Sequence, residues 1–488
     1  MEDLKSKAKK AVYWNTGFNV FRDALQFGVM LVLVRIIPPE AYGQFGLVSA
    51  IIGFIGLFSF TTLITHSLQI RKFEEIDYQT HFTSGLFIQI IVIIITLITA
   101  FVLSFTKTYH EISLLVALMS FLFILDLPSQ LQIKQFEKKL DWKRLRTLHA
   151  IGLVASSITA IILGLLGTEV YALLFPGLLV TIPFIYELFI TNKWRPTWKI
   201  NKKNFRESFK FAIAQSGVGL TTKLQPLIES SYLTSVIGFF NYGIFGRAFG
   251  LARIISDKFV TQLLYATYPV LTNIEVDSPL YRKAISTLFI VIISVVIPLV
   301  FIFSLKAESV VLILYGIKWI KVIPLLPSVL VIVCLAALNN TFNNILLSYN
   351  KQNLLLIISI ISLFINVVLL ILLLKINLLY YLYGLIILQL LILFTYISFS
   401  SKYKLISFQV ISKTSLGIIF VSLITYCPFY IINTYLGTYP RIGNILEIML
   451  YMALYFIFLR LIMKDAFLTI IYYLPYKQKI KNIFRITD

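Results

Sequence analysis

The stretch PPEAYGQFG, residues 38–46, interrupts a long apolar run near the start of the chain. Its Tyr-Gly-x-Phe-Gly core returns in FFNYGIFGR, residues 239–247, where every matched residue is shifted by 200 positions. The same shift places Gly17, before the first copy, opposite Gly217, before the second. The pattern predicts an internal repeat in which two pairs of helices, far apart in the chain, share one design.

The segments around both copies are too apolar for a water-soluble protein. Of the 488 residues, 58% are hydrophobic and 13% charged, and the mean hydropathy is +0.87. Soluble domains carry about 25% charged residues, and a helix needs about 20 apolar residues to cross a bilayer. We therefore expect an all-α polytopic membrane protein. Its fourteen predicted spans lie near residues 12–34, 42–65, 82–105, 112–133, 147–167, 170–191, 209–236, 239–268, 284–305, 322–347, 353–374, 379–399, 409–432 and 444–463.

The distribution of Lys and Arg predicts the orientation of these spans. If the N-terminus is cytoplasmic, cytoplasmic segments hold 30 of the 43 basic residues and the opposite loops hold seven. Cytoplasmic loops carry such an excess, so both termini are expected inside. The basic runs flank spans, and residues 466–488 form a basic cytoplasmic tail, so the net charge of +21 indicates anionic lipid rather than nucleic acid.

The repeat predicts a domain organisation as well. A shift of 200 residues joins one odd-numbered span to another, so both copies insert with the same orientation, a plan common in transporters. We expect one six-helix bundle in residues 1–200 and a second in residues 201–400. Two additional spans follow in residues 401–465.

Several quoted segments resemble one transporter family. KKAVYWNTGFNVF and LVRIIPPEAYGQFGLVSAIIGFIGLFSF resemble the N-terminal signature of bacterial polysaccharide transporters, which include O-antigen, colanic acid and teichuronic acid flippases. Arg35, Pro38, Tyr42 and Gly43 occupy the places of that signature. The similarity continues through residues 237–274, with Pro269 near the end of span 8, and through residues 338–353.

The resemblance implies both a fold and a function. These transporters belong to the multidrug/oligosaccharidyl-lipid/polysaccharide exporter superfamily, whose fold has two six-helix bundles in a V around a central cavity. The implied function is to flip an undecaprenyl-diphosphate-linked oligosaccharide across the bacterial cytoplasmic membrane by alternating access. The implied partners are this lipid-linked substrate, membrane lipids, a polysaccharide polymerase and glycosyltransferases. We expect a monomer.

Polar side chains within spans are the candidate substrate contacts, because intramembrane charge is costly and normally faces a water-filled cavity. In span 1, spacings of 4, 3 and 4 place four polar residues in one narrow sector of the helix. The substrate-binding candidates are Asn15, Asn19, Arg22, Gln26, Gln215, Lys223, Arg247, Arg253, Asn339 and Asn343.

Asp23, Asp126 and Glu229 are candidates for coupling to a proton or sodium gradient. Some of these polar residues could instead have a structural role. Arg22 can pair with Asp23, Arg253 can pair with Asp257 four residues away, and the asparagines of span 10 can bridge helices.

No catalytic residue, metal site or cofactor is expected, and the chain is not expected to be an enzyme. The four histidines are scattered, Cys334 and Cys427 lie in separate spans, and the loops are short. The alternatives are a lipid II flippase and a drug/cation antiporter of the same superfamily. A membrane glycosyltransferase or ligase and a non-transporting scaffold are favoured less.

Overall fold

The computed structural model describes residues 2–70, 76–256, 260, 274, 278–349, 351–403, 408–435 and 441–473. Over these ranges the secondary structure is helical, with no β-strand. The chain divides into two compact units, Met1–Gly243 and Ile244–Asp488, and each is described by itself.

The first unit contains seven long helices and the start of an eighth. In chain order, the first six are α1 Glu2–Ile36, α2 Pro39–Ile55, α3 Tyr78–Ser104, α4 His110–Lys139, α5 Trp142–Leu165 and α6 Val170–Thr191. The helix Lys202–Ile255 is broken at Gly238, where φ is 76° and ψ is 168°, into α7 (202–237) and α8 (239–255). The break falls between predicted spans 7 and 8.

The second unit contains most of α8, the short helices Ala307–Leu314 and Lys464–Tyr473, and six further long helices. These are α9 Pro279–Leu305, α10 Leu326–Ser348, α11 Gln352–Leu373, α12 Leu378–Lys402, α13 Phe408–Tyr435 and α14 Arg441–Ile462. Eleven helices of the described chain are long and apolar enough to cross a membrane. With α7, α8 and α14, each predicted span corresponds to a helical segment, which confirms the all-α polytopic fold.

Helix α3 has an exposed face made of large apolar side chains. Phe87, Ile91, Ile94, Ile98 and Phe101 are all exposed, and they recur at spacings of four and three along one face. Residues at these spacings form one continuous stripe on a helix. A stripe of five large apolar side chains facing outward is stable in lipid and would be costly in water.

The two prolines at the start of residues 38–46 have different roles. Helix α1 ends at Ile36, and Pro38 is extended, with φ −72° and ψ 157°. Pro39 is the first residue of α2, a position that proline tolerates because the first backbone N–H of a helix has no partner. One proline therefore separates the helices and the other starts the second.

The two copies of the repeated motif are in contact with each other. A methyl group built on Gly43 would overlap the carbonyl of Phe239, and one on Gly243 would overlap the carbonyl of Pro39. A methyl group on Gly46 would lie 2.8 Å from the Tyr242 ring. Glycine allows two helix backbones to approach in this way, so Gly43, Gly46 and Gly243 serve packing.

Predicted span 2, residues 42–65, is interrupted. A 3₁₀ turn, Gly56–Phe58, follows α2, and Ser59 is extended, with φ −77° and ψ 169°. The helix resumes at Phe60–Ile64. Because the axis changes at Ser59, Thr61 lies beside α4, within hydrogen-bonding distance of Asp126.

In the second unit, a large apolar core joins α9, α10, α13 and α14. It contains Ile292 from α9, Phe342 from α10, Ile418 from α13 and Tyr455 from α14, all fully buried. The Tyr455 hydroxyl donates a hydrogen bond of 2.9 Å to the Ser294 carbonyl, so this buried phenol is satisfied. The two helices beyond the predicted repeat are therefore integral to this unit.

Gly43→Ala should destabilise the protein because its methyl group has no room beside the Phe239 carbonyl. Overpacking of this kind costs about 1–3 kcal/mol. The measurement is the thermal unfolding midpoint of the purified protein in detergent. The matched control is Gly53→Ala in the same helix, where no atom lies within 4 Å of the new methyl group. Equal midpoints for the two variants would contradict the packing role.

Candidate functional site

The polar stripe of α1 forms as the sequence predicts, and one of its side chains binds another helix. The Nε of Arg146, on α5, donates a hydrogen bond of 2.6 Å to Asn15 Oδ1. Asn19 is half-buried and Gln26 is exposed. The stripe is therefore partly used to hold α1 against α5.

Arg22 pairs with its neighbour Asp23. Its Nη2 lies 3.0 Å and its Nε 3.2 Å from Asp23 Oδ1. The Arg22 side chain nevertheless keeps 39% of its surface exposed. The pair therefore lowers the cost of placing the cation within the membrane while its other N–H groups stay accessible.

Arg146 is a candidate that sequence reasoning missed, because it belongs to a basic run that was interpreted as a topology signal. Its guanidinium lies 5.1 Å from the centroid of the Phe18 ring and 5.6 Å from that of Trp142. Arg22 lies close enough to interact electrostatically with both Arg146 and His149. The spacing of Trp142 and Arg146, four residues apart on one helix face, is the signal that could have identified it.

Asp126 lies where span 2 is interrupted. Its Oδ2 accepts a hydrogen bond of 3.0 Å from Thr61 Oγ1, and its Oδ1 accepts one of 3.0 Å from Gln130 Nε2. The Ser59 hydroxyl donates in turn to Thr61 Oγ1 at 3.2 Å. A carboxyl group surrounded by neutral donors can hold or release a proton without breaking an ion pair.

The candidates on α7 are distributed differently. Gln215 and Lys223 are exposed, and Glu229 is half-buried. Ser216, beside Gln215, donates 2.9 Å to the Leu57 carbonyl and so fixes α7 against the turn that follows α2. Lys223 forms no ion pair with any residue that the structure describes.

The two α8 candidates differ in exposure. Arg247 is half-buried, and its carbonyl accepts a hydrogen bond of 3.4 Å from the Tyr315 hydroxyl. Arg253 is exposed, with its guanidinium 6.0 Å from the Phe249 ring. Asp257 and Pro269 lie outside the described residues.

The α10 asparagines bridge helices. Asn339 Nδ2 donates to the Gln389 side chain at 2.7 Å and to its carbonyl at 3.1 Å. Asn343 hydrogen-bonds Tyr396, also on α12. These contacts match the structural alternative for the span-10 asparagines, because amides that link two helices stabilise membrane bundles.

Lys306 is a buried charge that the sequence places in a loop. Only 2% of its side chain is exposed, and its ammonium pairs with Glu447 of α14. It also donates 2.9 Å to Asn433 Oδ1 of α13. The end of α9 is thereby joined to both C-terminal helices, so this charge is structural.

In the described ranges, no three His, Cys, Asp or Glu side chains come together as a metal site would require. Cys334 is a buried thiol and Cys427 an exposed one, and neither forms a disulfide.

The comparison with protein families decides the class. A family model described as "Polysaccharide biosynthesis protein" matches residues 32–324, more than half of the chain. The chain belongs to this polysaccharide biosynthesis protein family.

Two relatives are similar in sequence to this chain over most of its length. One is an "Uncharacterized membrane protein in cps region" of Klebsiella pneumoniae, 20% identical over 354 residues, which are 72% of this chain and 73% of the relative. The other is "Succinoglycan biosynthesis transport protein ExoT" of Rhizobium meliloti, 20% identical over 65% of each chain. The chain is thus a multi-pass membrane protein of the polysaccharide biosynthesis family.

Solved structures show the same fold. The "Lipid II flippase MurJ, inward closed conformation" matches with a TM-score of 0.70 over 93% of this chain and 99% of its own, at 14% identity. An inward-facing multidrug resistance MATE transporter matches with a TM-score of 0.55 over 78% of this chain and 94% of its own, at 15% identity. The chain therefore shares the fold of these two structures.

Lys306→Met should destabilise the second unit, because Glu447 would keep a charge with its partner removed. Breaking a buried pair on one side costs about 3–5 kcal/mol. The double change Lys306→Met with Glu447→Met should recover most of the thermal midpoint. Lys318→Met, at an exposed lysine, is the control. If the double variant is as unstable as the two single losses combined, the pairing is not what stabilises this end of α9.

Proposed function

We propose that this protein is a flippase that moves an undecaprenyl-diphosphate-linked oligosaccharide across the bacterial cytoplasmic membrane for surface polysaccharide synthesis. The observation that carries the proposal is family membership over residues 32–324. A relative named as a succinoglycan biosynthesis transport protein supports it. The MurJ-like and MATE-like fold supports transport rather than bond-breaking chemistry.

The substrate makes two physical demands. Its glycan and diphosphate are hydrated and charged, so they need a water-filled, cationic path, whereas its prenyl tail can stay in lipid. Arg22, Lys223 and Arg247 supply cations within α1, α7 and α8. Arg253 extends the set along α8, and Asn15, Asn19, Gln26 and Gln215 offer hydrogen bonds to sugar hydroxyls. Asn339 and Asn343 act mainly by holding α10 to α12.

The proposal includes an orientation and a mechanism. Both termini are cytoplasmic, since 30 of 43 basic residues lie on that side against seven on the other. The protein works as a monomer by alternating access. It receives substrate from glycosyltransferases on the cytoplasmic side and delivers it to a polymerase outside. The two six-helix bundles, residues 1–200 and 201–400, are the alternating elements.

We also assign coupling to Asp126, because its contacts are neutral donors. Asp23 pairs with Arg22, and Glu229 also has an interaction partner, so both are weaker candidates.

Replacing Arg22, Lys223 or Arg247 singly by Ala should reduce surface polysaccharide about tenfold or more, because a charge-assisted hydrogen bond contributes about 1.5–3 kcal/mol. The measurement is surface polysaccharide per cell, with membrane levels of the protein followed by immunoblot. Lys107→Ala, in an exposed loop, is the control and should export normally. Normal export by all three variants would refute the cationic assignment.

Asp126→Asn should make transport insensitive to an imposed gradient, since the amide keeps the side chain's shape but cannot titrate. The measurement is substrate transfer in vesicles with and without a proton gradient, and separately with a sodium gradient. Asp77→Asn provides the control, because Asp77 caps α3 outside the membrane core. A gradient response equal to wild type would remove Asp126 from the coupling role.

A further inference from the structure

A wide groove opens along α1 and α5 in the first unit. Its volume is about 930 Å³, which lies near the upper end of the range for pockets that hold small ligands. Residues from α1 form most of its wall, and Arg146, Thr147 and Ala150 of α5 form the rest. Lys223, the cation on α7, is not among the residues that line it.

The wall of the groove suits a hydrocarbon chain. Tyr13, Trp14, Phe18 and Phe21 contribute aromatic surface, and Gly17 leaves open space, with no atom within 4 Å of where a side chain would begin. Tyr13 is 74% exposed. An open, apolar and aromatic surface on a membrane helix is covered by chains of lipid rather than by water.

The wall of the groove includes one cation, Arg146, whose guanidinium is held in place by neighbouring side chains. Asn15 binds the Arg146 Nε, while Phe18 and Trp142 lie beside its guanidinium. Glu137 is near enough to Arg146 to interact with it electrostatically, but within the described part of the chain no carboxylate lies within ion-pair distance of the guanidinium. The terminal N–H groups of Arg146 are therefore available to a ligand. An arginine fork of this kind matches two phosphate oxygens at once.

A second cation lies on the same helix. Lys143 is exposed, and its ammonium is 6.0 Å from the centroid of the Trp14 ring, which also lines the groove. Lys143 and Arg146 are three residues apart and so share one face of α5. Two cations beside one apolar channel favour a ligand with more than one phosphate charge and a narrow tail.

We propose that this groove binds the prenyl-diphosphate end of the lipid-linked substrate, with the diphosphate at Arg146 and Lys143 and the first prenyl units along α1. This assignment rests on the proposed function and adds to it a site on the surface of the first unit. The site receives the lipid end, whereas the intramembrane cations of α1, α7 and α8 act on the head group during transfer.

The test uses the full-length protein in phosphatidylcholine vesicles and a photoreactive prenyl diphosphate. After irradiation, labelled peptides are identified by mass spectrometry. Label should appear in residues 12–21 and 142–150. Undecaprenyl diphosphate should compete for labelling, and phosphatidylglycerol at the same concentration should not.

Two variants test separately the contributions of the Arg146 cation and of the apolar channel to labelling. Arg146→Gln should reduce labelling about tenfold, as expected for loss of charge-assisted hydrogen bonds to phosphate. Gly17→Leu should block the channel while leaving Arg146 in place. Gly28→Leu is its matched control, because Gly28 also has open space but lies outside the groove.

The outcomes distinguish this inference from the proposed function. Specific labelling elsewhere, unchanged by Arg146→Gln and Gly17→Leu, would overturn the groove and leave the flippase proposal standing. Equal competition by phosphatidylglycerol would overturn the diphosphate assignment. If wild-type protein shows no saturable labelling anywhere, the lipid-linked substrate itself is wrong.

Discussion

The hydrocarbon core of a membrane offers a charged side chain neither a counter-charge nor a hydrogen bond. This lack limits where the protein can place its charged residues. Each charge within a span must find a partner in the protein or reach water. Lys306 finds Glu447 and Asn433, and Arg22 finds Asp23. Lys223 stays exposed. Sorting the charges by this constraint separates those that hold helices together from those available to a substrate.

The same constraint explains why much of the fold could be predicted from the sequence. Apolar blocks of membrane length mark the spans, and the structure has a helical segment at each. The repeated motif predicted two related pairs of helices, and the structure adds that its copies touch, with Gly43 against the Phe239 carbonyl and Gly243 against the Pro39 carbonyl. The helix-bridging alternative for Asn339 and Asn343 also matches the structure.

Other features depend on tertiary contacts that have no local signal. Gly53 and Gly56 weaken the helix before the interruption at Ser59. The consequence of the interruption has no local signal, because Thr61 contacts Asp126, 65 residues away. Lys306 lies between two predicted spans in the sequence, and only the structure shows that it is buried against Asn433 of α13 and Glu447 of α14. Arg146 belongs to a basic run typical of a cytoplasmic loop, and only its bond to Asn15 places it at a groove. For the candidate site, sequence reasoning identified the charged helices and the Arg22–Asp23 pair, but not the contacts that Arg146 and Asp126 make with other helices.

The most direct test of the central claim is a flipping assay with purified protein. Vesicles would carry a fluorescent undecaprenyl-diphosphate-linked oligosaccharide in both leaflets, and a lectin added outside would report the accessible fraction over time. The account predicts that wild-type protein makes the inner pool accessible, and that a combined Arg22→Ala, Lys223→Ala and Arg247→Ala variant does not. Accessibility no faster than in protein-free vesicles, or wild-type rates in the combined variant, would contradict it.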